Sequence, residues 1–374
     1  MDQIKKLIRQ YNTKKNLTIS IIFIRIIKFF MNKKIIFFSV DRLGDYLIRS
    51  NVIYNISQNF HQIEIVGSNA NTKLINTQNH FTKIYNFNLK NKFFEKIKFI
   101  KFFFFKSYDT AIVFDGKNIS NILLILIRSN FKFTFLYKKK SFLNFVYLKF
   151  ITLIYKILKI RYEILLSKDM IENNHIENYP IKYRILKRYF SNIDNKTYYL
   201  ENNLLDTYDH LKDKFVILHL DEKFIDIKDI ETQFENSITS FQKNINKKVI
   251  LTTFNNNLNY YNNLNIKKIN FNNLQYQDLI NSKILIIENI PITYFHNLIK
   301  NSYANISCHS GLFVHSSLAL NKITIDIINK SQEKWLNTWI DYKKNYIKTY
   351  KSINNKSYNI NEIMNFIHEQ IKNK

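Results

Sequence analysis

The sequence predicts an α/β protein built from two doubly wound domains. Short runs rich in Ile, Val and Phe end in polar turns, and helical spacing follows each turn. That strand–turn–helix order appears in two successive arrays. With 374 residues, 46% of them hydrophobic, the chain can form two cores of ordinary size.

The first array starts after a basic, apolar extension, residues 1–32, whose spacing is helical. Ile35–Val40 reads as a strand ended by Asp41-Arg42-Leu43-Gly44-Asp45, and Tyr46–Asn59 reads as a helix. A second strand, Ile63–Val66, runs into Gly67-Ser68-Asn69. A third, Thr110–Phe114, runs into Asp115-Gly116-Lys117 and the apolar helix Ile119–Ile127. Ser167–Pro180 is polar and reads as a linker, giving domains 33–180 and 181–374, the second with a C-terminal helix. The second array has strands at Phe215–Leu220, Lys248–Thr253, Ile284–Ile287, Ala304–Ser307 and Ile323–Ile327. Helices are expected at Ile292–Asn301 and Leu312–Leu320. Ligands in such sheets bind beyond the carboxyl ends of the strands. All four glycines, Gly44, Gly67, Gly116 and Gly311, fall directly after an expected strand, on that rim.

The chain carries 48 Lys, 8 Arg and a net charge of +27. Residues 1–180 hold 30 basic against 11 acidic side chains, so the first half is the one expected to meet an anionic partner. Nucleic acid is not the expected partner, because Arg is scarce and no nucleic-acid-binding motif is present. One cysteine, Cys308, excludes a disulfide framework and a cysteine-based zinc site. No metal site is expected. No window of about 18 residues is free of charge, so no membrane span is expected, and with no convincing signal peptide the expected location is cytoplasmic.

The segment IIFFSVDRLGDYLIRSNVIYNI resembles the opening of glycosyltransferase family 9, the lipopolysaccharide core heptosyltransferases. There a first strand ends in a Leu-Gly-Asp turn that opens a helix, here Leu43-Gly44-Asp45. The resemblance implies the GT-B architecture, two Rossmann-like domains facing a cleft, and it makes Asp45 the general base that takes the acceptor hydroxyl's proton. The plainer alternative is that Asp45 caps the first turn of its helix. Arg42 and Arg49 flank this turn, and arginine suits capture of phosphate or carboxylate on an anionic glycan. Ordinary salt bridges to Asp41 and Asp45 are the alternative. YDTAIVFDGKNISNILLILI resembles a second family segment, which puts Asp115 and Lys117 on the acceptor side.

ISCHSGLFVHSSLALNKITIDI resembles the family's donor-diphosphate turn, a strand followed by Asp-Ser/Thr-Gly and a helix containing His. Ser310 and Gly311 open that helix, and a helix N-terminus favours anions. His315 lies one turn in. Two departures stand out: His309 replaces the usual Asp, and Gly311 to His315 is one residue longer than the common spacing. Lys223-Phe224 matches the family's Lys–aromatic pair, so Lys223 is expected to balance donor phosphate charge. No acidic residue stands at Asn255–Asn257, where family members often carry one for the ribose.

What the resemblance implies is an inverting, metal-independent transfer without cofactor. The sugar, heptose from ADP-heptose, would pass to a lipid-linked anionic core glycan at the inner face of the inner membrane. A different nucleotide sugar on the same fold, or a catalytically silent glycan- or membrane-binding relative, are the other readings. Asn91–Lys106 and Ser141–Arg161 mix Lys with Phe, Ile and Leu at helical spacing. Each reads as an interfacial helix on an anionic membrane surface, or as a core helix whose lysines reach out to solvent.

Overall fold

The computed structural model describes residues 33–88, 93–167, 183–193, 211–254, 258–340, 345–353 and 356–373. The extension 1–32, the linker after Ser167 and Asn255–Asn257 lie outside the described residues. Six parallel strands form the first sheet: β1 (Lys34–Ser39), β2 (Gln62–Ser68), β3 (Lys83–Phe87), β4 (Ser107–Val113), β5 (Arg128–Lys138) and β6 (Arg161–Leu166), in the order β3-β2-β1-β4-β5-β6. Helices α1 (Leu43–Ser57), α2 (Phe93–Phe104), α3 (Asn118–Leu126) and α4 (Phe142–Ile157) connect or flank them. The order reverses at β1, so the crevice between the ends of β1 and β4 is a switch point where ligands bind in such sheets.

β1 shows why the run IIFFS becomes a central strand. Ile35 and Phe37 enter one core with α1, while Ile36 and Phe38 enter the opposite core with α2, α3 and α4. Successive side chains point to opposite faces, so a strand covered on both reads as continuously apolar.

The second sheet contains β7 (Phe215–Leu220), β8 (Lys248–Thr253), β9 (Lys268–Asn270), β10 (Ile284–Glu288), β11 (Ala304–Ser307), β12 (Ile323–Asn329), β13 (Tyr346–Ile353) and β14 (Lys356–Ser357). Their order is β14-β13-β12-β11-β7-β8-β10-β9, with only the β13–β14 pair antiparallel. Its helices of eight or more residues are α5 (Ile230–Ile245), α6 (Ile292–Asn301), α7 (Gly311–Ala319) and α8 (Ile360–Lys372). α5 and α8 cover one face, and α6 and α7 the other. Here the switch point lies between β7 and β11.

Two elements depart from expectation. The 3₁₀ segment Tyr183–Arg188, assigned to the second domain from sequence, packs on the first: Tyr183 meets Phe114 and Phe135, and Tyr189 just beyond it meets Phe131 and Phe133. The centre of the cleft is also closed. α1 and α7 pack on each other, and a single apolar cluster runs from Ile35 and Leu47 through Phe313 and Val314 to Phe215 and Phe295.

Candidate active site

The first switch point gathers three carboxylates with different surroundings. Asp115 is buried and held by three hydrogen bonds: its Oδ2 accepts from the Val40 N–H (2.8 Å) and the Ser120 hydroxyl (2.8 Å), and its Oδ1 from the Lys117 N–H (2.8 Å). Burial, reinforced by the Asp41 charge, pushes its pKa up to about 6. Asp115 therefore clasps the end of β1 to the start of α3, and the acceptor-lining role expected for it is corrected. Arg49 requires the same correction. It is 2% exposed, pairs with Asp41 Oδ2 at 2.7 Å, donates through Nε to the Asp45 carbonyl (2.9 Å), and packs against the Tyr183 and Phe114 rings. An arginine so enclosed braces the turn and cannot grip an acceptor.

Lys117 pairs with the other oxygen of Asp41 at 3.2 Å and donates to the Val40 carbonyl, with its side chain about one-third exposed. Arg42 is exposed at the N-cap of α1 with extended backbone. Of the four residues expected on the acceptor side, Arg42 and Lys117 thus remain within reach of a ligand. Asp41 anchors both Lys117 and Arg49, and its pair with Arg49 is the ordinary salt bridge that the sequence offered as the alternative.

Asp45 sits in the first turn of α1, half-buried. Burial and the neighbouring Asp41 raise its pKa, while Arg49 and a hydrogen bond from the Arg42 N–H oppose the rise. Asp45 thus has the first-turn position that the capping reading requires. An ionised carboxylate has about four acceptor positions, so that bond leaves room for an incoming hydroxyl.

At the second switch point Lys223 donates its ammonium to the His309 carbonyl, and its own N–H goes to Asp221 Oδ1 at 3.0 Å. His309 adopts left-handed backbone, φ 52°. Its Nδ1 lies 2.7 Å from Oδ2 of Asp326, a fully buried carboxylate that also accepts from the Tyr346 hydroxyl at 2.9 Å. Nε2 of His309 makes no hydrogen bond among the described residues. Ser310 is the N-cap of α7, and its side chain forms no cap bond, so the first N–H groups of α7 lack a side-chain partner there. His315 is corrected: it is 4% exposed, and burial pushes its pKa down to about 3, so it is a neutral core residue and not a donor-facing one. Asp326 and Tyr346 escaped the sequence reading. The available signal was one acid in the otherwise apolar strand ITIDII.

The two switch points meet at glycines. A Cβ on Gly44 would stand 3.0 Å from the Gly311 carbonyl carbon and 3.3 Å from its Cα. The N-termini of α1 and α7 therefore touch, with Asp45 just after one glycine and Ser310 just before the other. Gly67, the penultimate residue of β2, lies level with Ser39 at the end of β1 and is packed against Asn71 and Ile75. A cavity lined by Lys34, Gln62, Tyr108, Asp109 and Arg128 opens at the N-terminal ends of the first sheet's strands, on the edge opposite these turns.

The architecture is shared with solved glycosyltransferases. The glycosyl transferase family 9 protein from Veillonella parvula DSM 2008 aligns over 92% of this chain and 99% of its own, with TM-score 0.62 and 10% identity. The E. coli ADP-heptose lipopolysaccharide heptosyltransferase II aligns over 91% and 98%, with TM-score 0.59 and 11% identity.
The chain has the fold of glycosyltransferase family 9.
The E. coli heptosyltransferase WaaC with ADP has the same fold, at TM-score 0.52 and 13% identity over 90% and 99% of the two chains. No protein-family model and no curated protein sequence matches the chain. The likeness to the family 9 fold is therefore one of structure, and the GT-B architecture expected from the sequence is present in it.

Proposed function

We propose that this protein is a glycosyltransferase that moves a sugar from a nucleotide-sugar donor to an acceptor hydroxyl activated by Asp45. In one displacement the acceptor oxygen bonds to the anomeric carbon while the bond from that carbon to the diphosphate oxygen breaks. Its electron pair leaves with the nucleoside diphosphate, the hydroxyl proton passes to Asp45, and the configuration inverts. The observation that carries this reading is the Gly44–Gly311 contact. It sets a carboxylate beside a helix N-terminus suited to a diphosphate.

The donor is proposed to lie on the first turn of α7, at Ser310 and Gly311, with Lys223 supplying positive charge. His309, held by Asp326 through Nδ1, is proposed to turn Nε2 toward a phosphate oxygen of the donor. The proposed donor is ADP-heptose, in line with the names of the solved proteins that share the fold. The proposed acceptor is a lipid-linked anionic glycan of the lipopolysaccharide core type, met by Arg42 and Lys117 at the inner face of the inner membrane. No metal ion takes part in the proposed step.

Asp45→Asn tests the reading, since Asn caps helices about as well as Asp. With ADP-heptose and a core acceptor, kcat is expected to fall by roughly 10²–10⁴, with melting temperature and calorimetric donor affinity unchanged. Turnover within a few-fold of wild type refutes the base assignment. Donor binding without turnover in the wild type identifies a silent glycan-binding relative instead.

A further inference from the structure

The layer formed by α2, α3 and α4 covers the face of the first sheet that points away from α1 and α7. Of the 19 large apolar side chains exposed among the described residues, 13 lie on these three helices or on the residue just after α2 or α4. A monomer rarely concentrates its exposed apolar surface in this way without a use for it.

α4 supplies most of that surface through its geometry. At 3.6 residues per turn, Phe142, Leu143, Val146, Phe150, Leu153 and Ile157 fall within an arc of about 100°. All six are open to solvent, at 78%, 79%, 48%, 62%, 57% and 71% exposure. Leu148, Ile151 and Tyr155, the buried residues of the helix, occupy the opposite side. The helix therefore has two apolar faces, and only one is needed by the core. The core-helix reading accounts for the inner stripe and leaves the outer one without an explanation. Phe94, Phe102 and Phe104 of α2, and Phe105 just after it, are exposed on the same helical layer.

Charge identifies the occupant. Lys149 and Lys156 run along one edge of the outer stripe, Lys138, Lys139 and Lys140 precede the helix, and Lys159 and Arg161 follow it. No acidic residue occurs between Lys138 and Arg161. A second copy of this chain would bring the same cations. Residues 1–32 would add seven more against one acid. An anionic bilayer is complementary on both counts: its headgroups meet the lysines, and its acyl region receives the aromatic and aliphatic tips.

We propose that α4, supported by α2, is the docking face of this protein on anionic membranes, lying in the interface with Phe142, Leu143, Val146, Phe150, Leu153 and Ile157 inserted. This deepens the lipid-linked acceptor of the proposed function, yet its test contains no sugar, so either reading can fail without the other. The full chain is sedimented with vesicles of phosphatidylcholine alone and of equimolar phosphatidylcholine and phosphatidylglycerol, over a range of salt. The wild type is expected to partition onto the anionic vesicles only, less so as salt rises. The double variant Phe150→Ser, Leu153→Ser is expected to lose at least about tenfold in partitioning, at an unchanged melting temperature, because both side chains are exposed. Lys138→Gln, Lys139→Gln, Lys140→Gln is expected to flatten the salt dependence. The proposal is overturned if the Phe150/Leu153 variant binds as the wild type does, which would move binding elsewhere, residues 1–32 included. It is equally overturned if the wild type ignores anionic vesicles at low salt, or if it self-associates through this stripe and binds no vesicle.

Discussion

The contact between Gly44 and Gly311 can be tested with two single methyl groups that should act in opposite directions. Gly44 lies in the first turn of α1, where Ala contributes up to about 1 kcal/mol of helix propensity over Gly. Its new Cβ, however, would stand 3.0 Å from the Gly311 carbonyl carbon. Carbon atoms rest about 3.5–4.0 Å apart, so the backbone of α7 has to retreat by about half an ångström. Overpacking of this kind costs about 1–3 kcal/mol. The net expectation for Gly44→Ala is a loss of about 0–2 kcal/mol. A Cβ on Gly311 would have only the Gly44 Cα near it, at 4.0 Å, so Gly311→Ala should hold or gain stability, by up to about 1 kcal/mol. Denaturant unfolding of both variants, alongside calorimetry with ADP, separates these outcomes. Gly311→Ala should weaken ADP binding by crowding the proposed diphosphate site, whereas Gly44→Ala should reduce turnover, because displacements well under 1 Å disturb a reacting geometry. If Gly44→Ala raises stability as much as Gly311→Ala, the helix ends do not touch, and the argument that base and donor share one junction collapses.

Two further expectations concern the first switch point. Arg49→Met should destabilise the protein by about 3–5 kcal/mol in urea unfolding, the usual consequence of breaking a buried ion pair; a loss under about 1 kcal/mol combined with weaker acceptor binding would return Arg49 to the acceptor site. The acid limb of kcat/KM should lie above the ordinary aspartate pKa, because Asp45 must be deprotonated to act as a base and both burial and Asp41 raise its pKa. Asp41→Asn should then shift that limb to lower pH, and an unmoved limb would show that another group controls it.

How far the fold was legible depended on where each strand sits. β7, β8 and β11 match their expected limits; β7 and β8 carry the central Val-Ile-Leu run of a strand buried on both faces, and β11 is set off by the Cys308–Gly311 turn that follows it. β3, β5, β6, β9, β13 and β14 were not expected. β5, Arg128–Lys138, reads RSNFKFTFLYK, in which alternating Phe and Lys resemble the Lys- and Phe-rich background of the whole chain. α5 was missed for the opposite reason. Ile230, Phe234, Ile238 and Phe241 form a narrow buried stripe in an otherwise polar helix, which a search for apolar runs does not find.

At the site, spacing located the turns but not the partners within them. Arg42 and Arg49 are seven residues apart, two helical turns, which suggests a pair on one face. Arg42 is instead the extended N-cap, φ −74° and ψ 165°, so the helical rule does not reach it, and the two side chains diverge into solvent and core. Asp41 and Asp45 are likewise separated by the start of the helix, which gives the guanidinium of Arg49 to Asp41. His309 shows the same limit most clearly. In the sequence it marks the loss of the acid usually found in this turn. In the fold, β11 pairs with β12 so that Ser307 lies opposite Asp326, and Asp326 stands 2.7 Å from His309. The turn therefore presents an imidazole held by a buried acid on the next strand. Only the register of two parallel strands, which local spacing does not encode, brings that pair together.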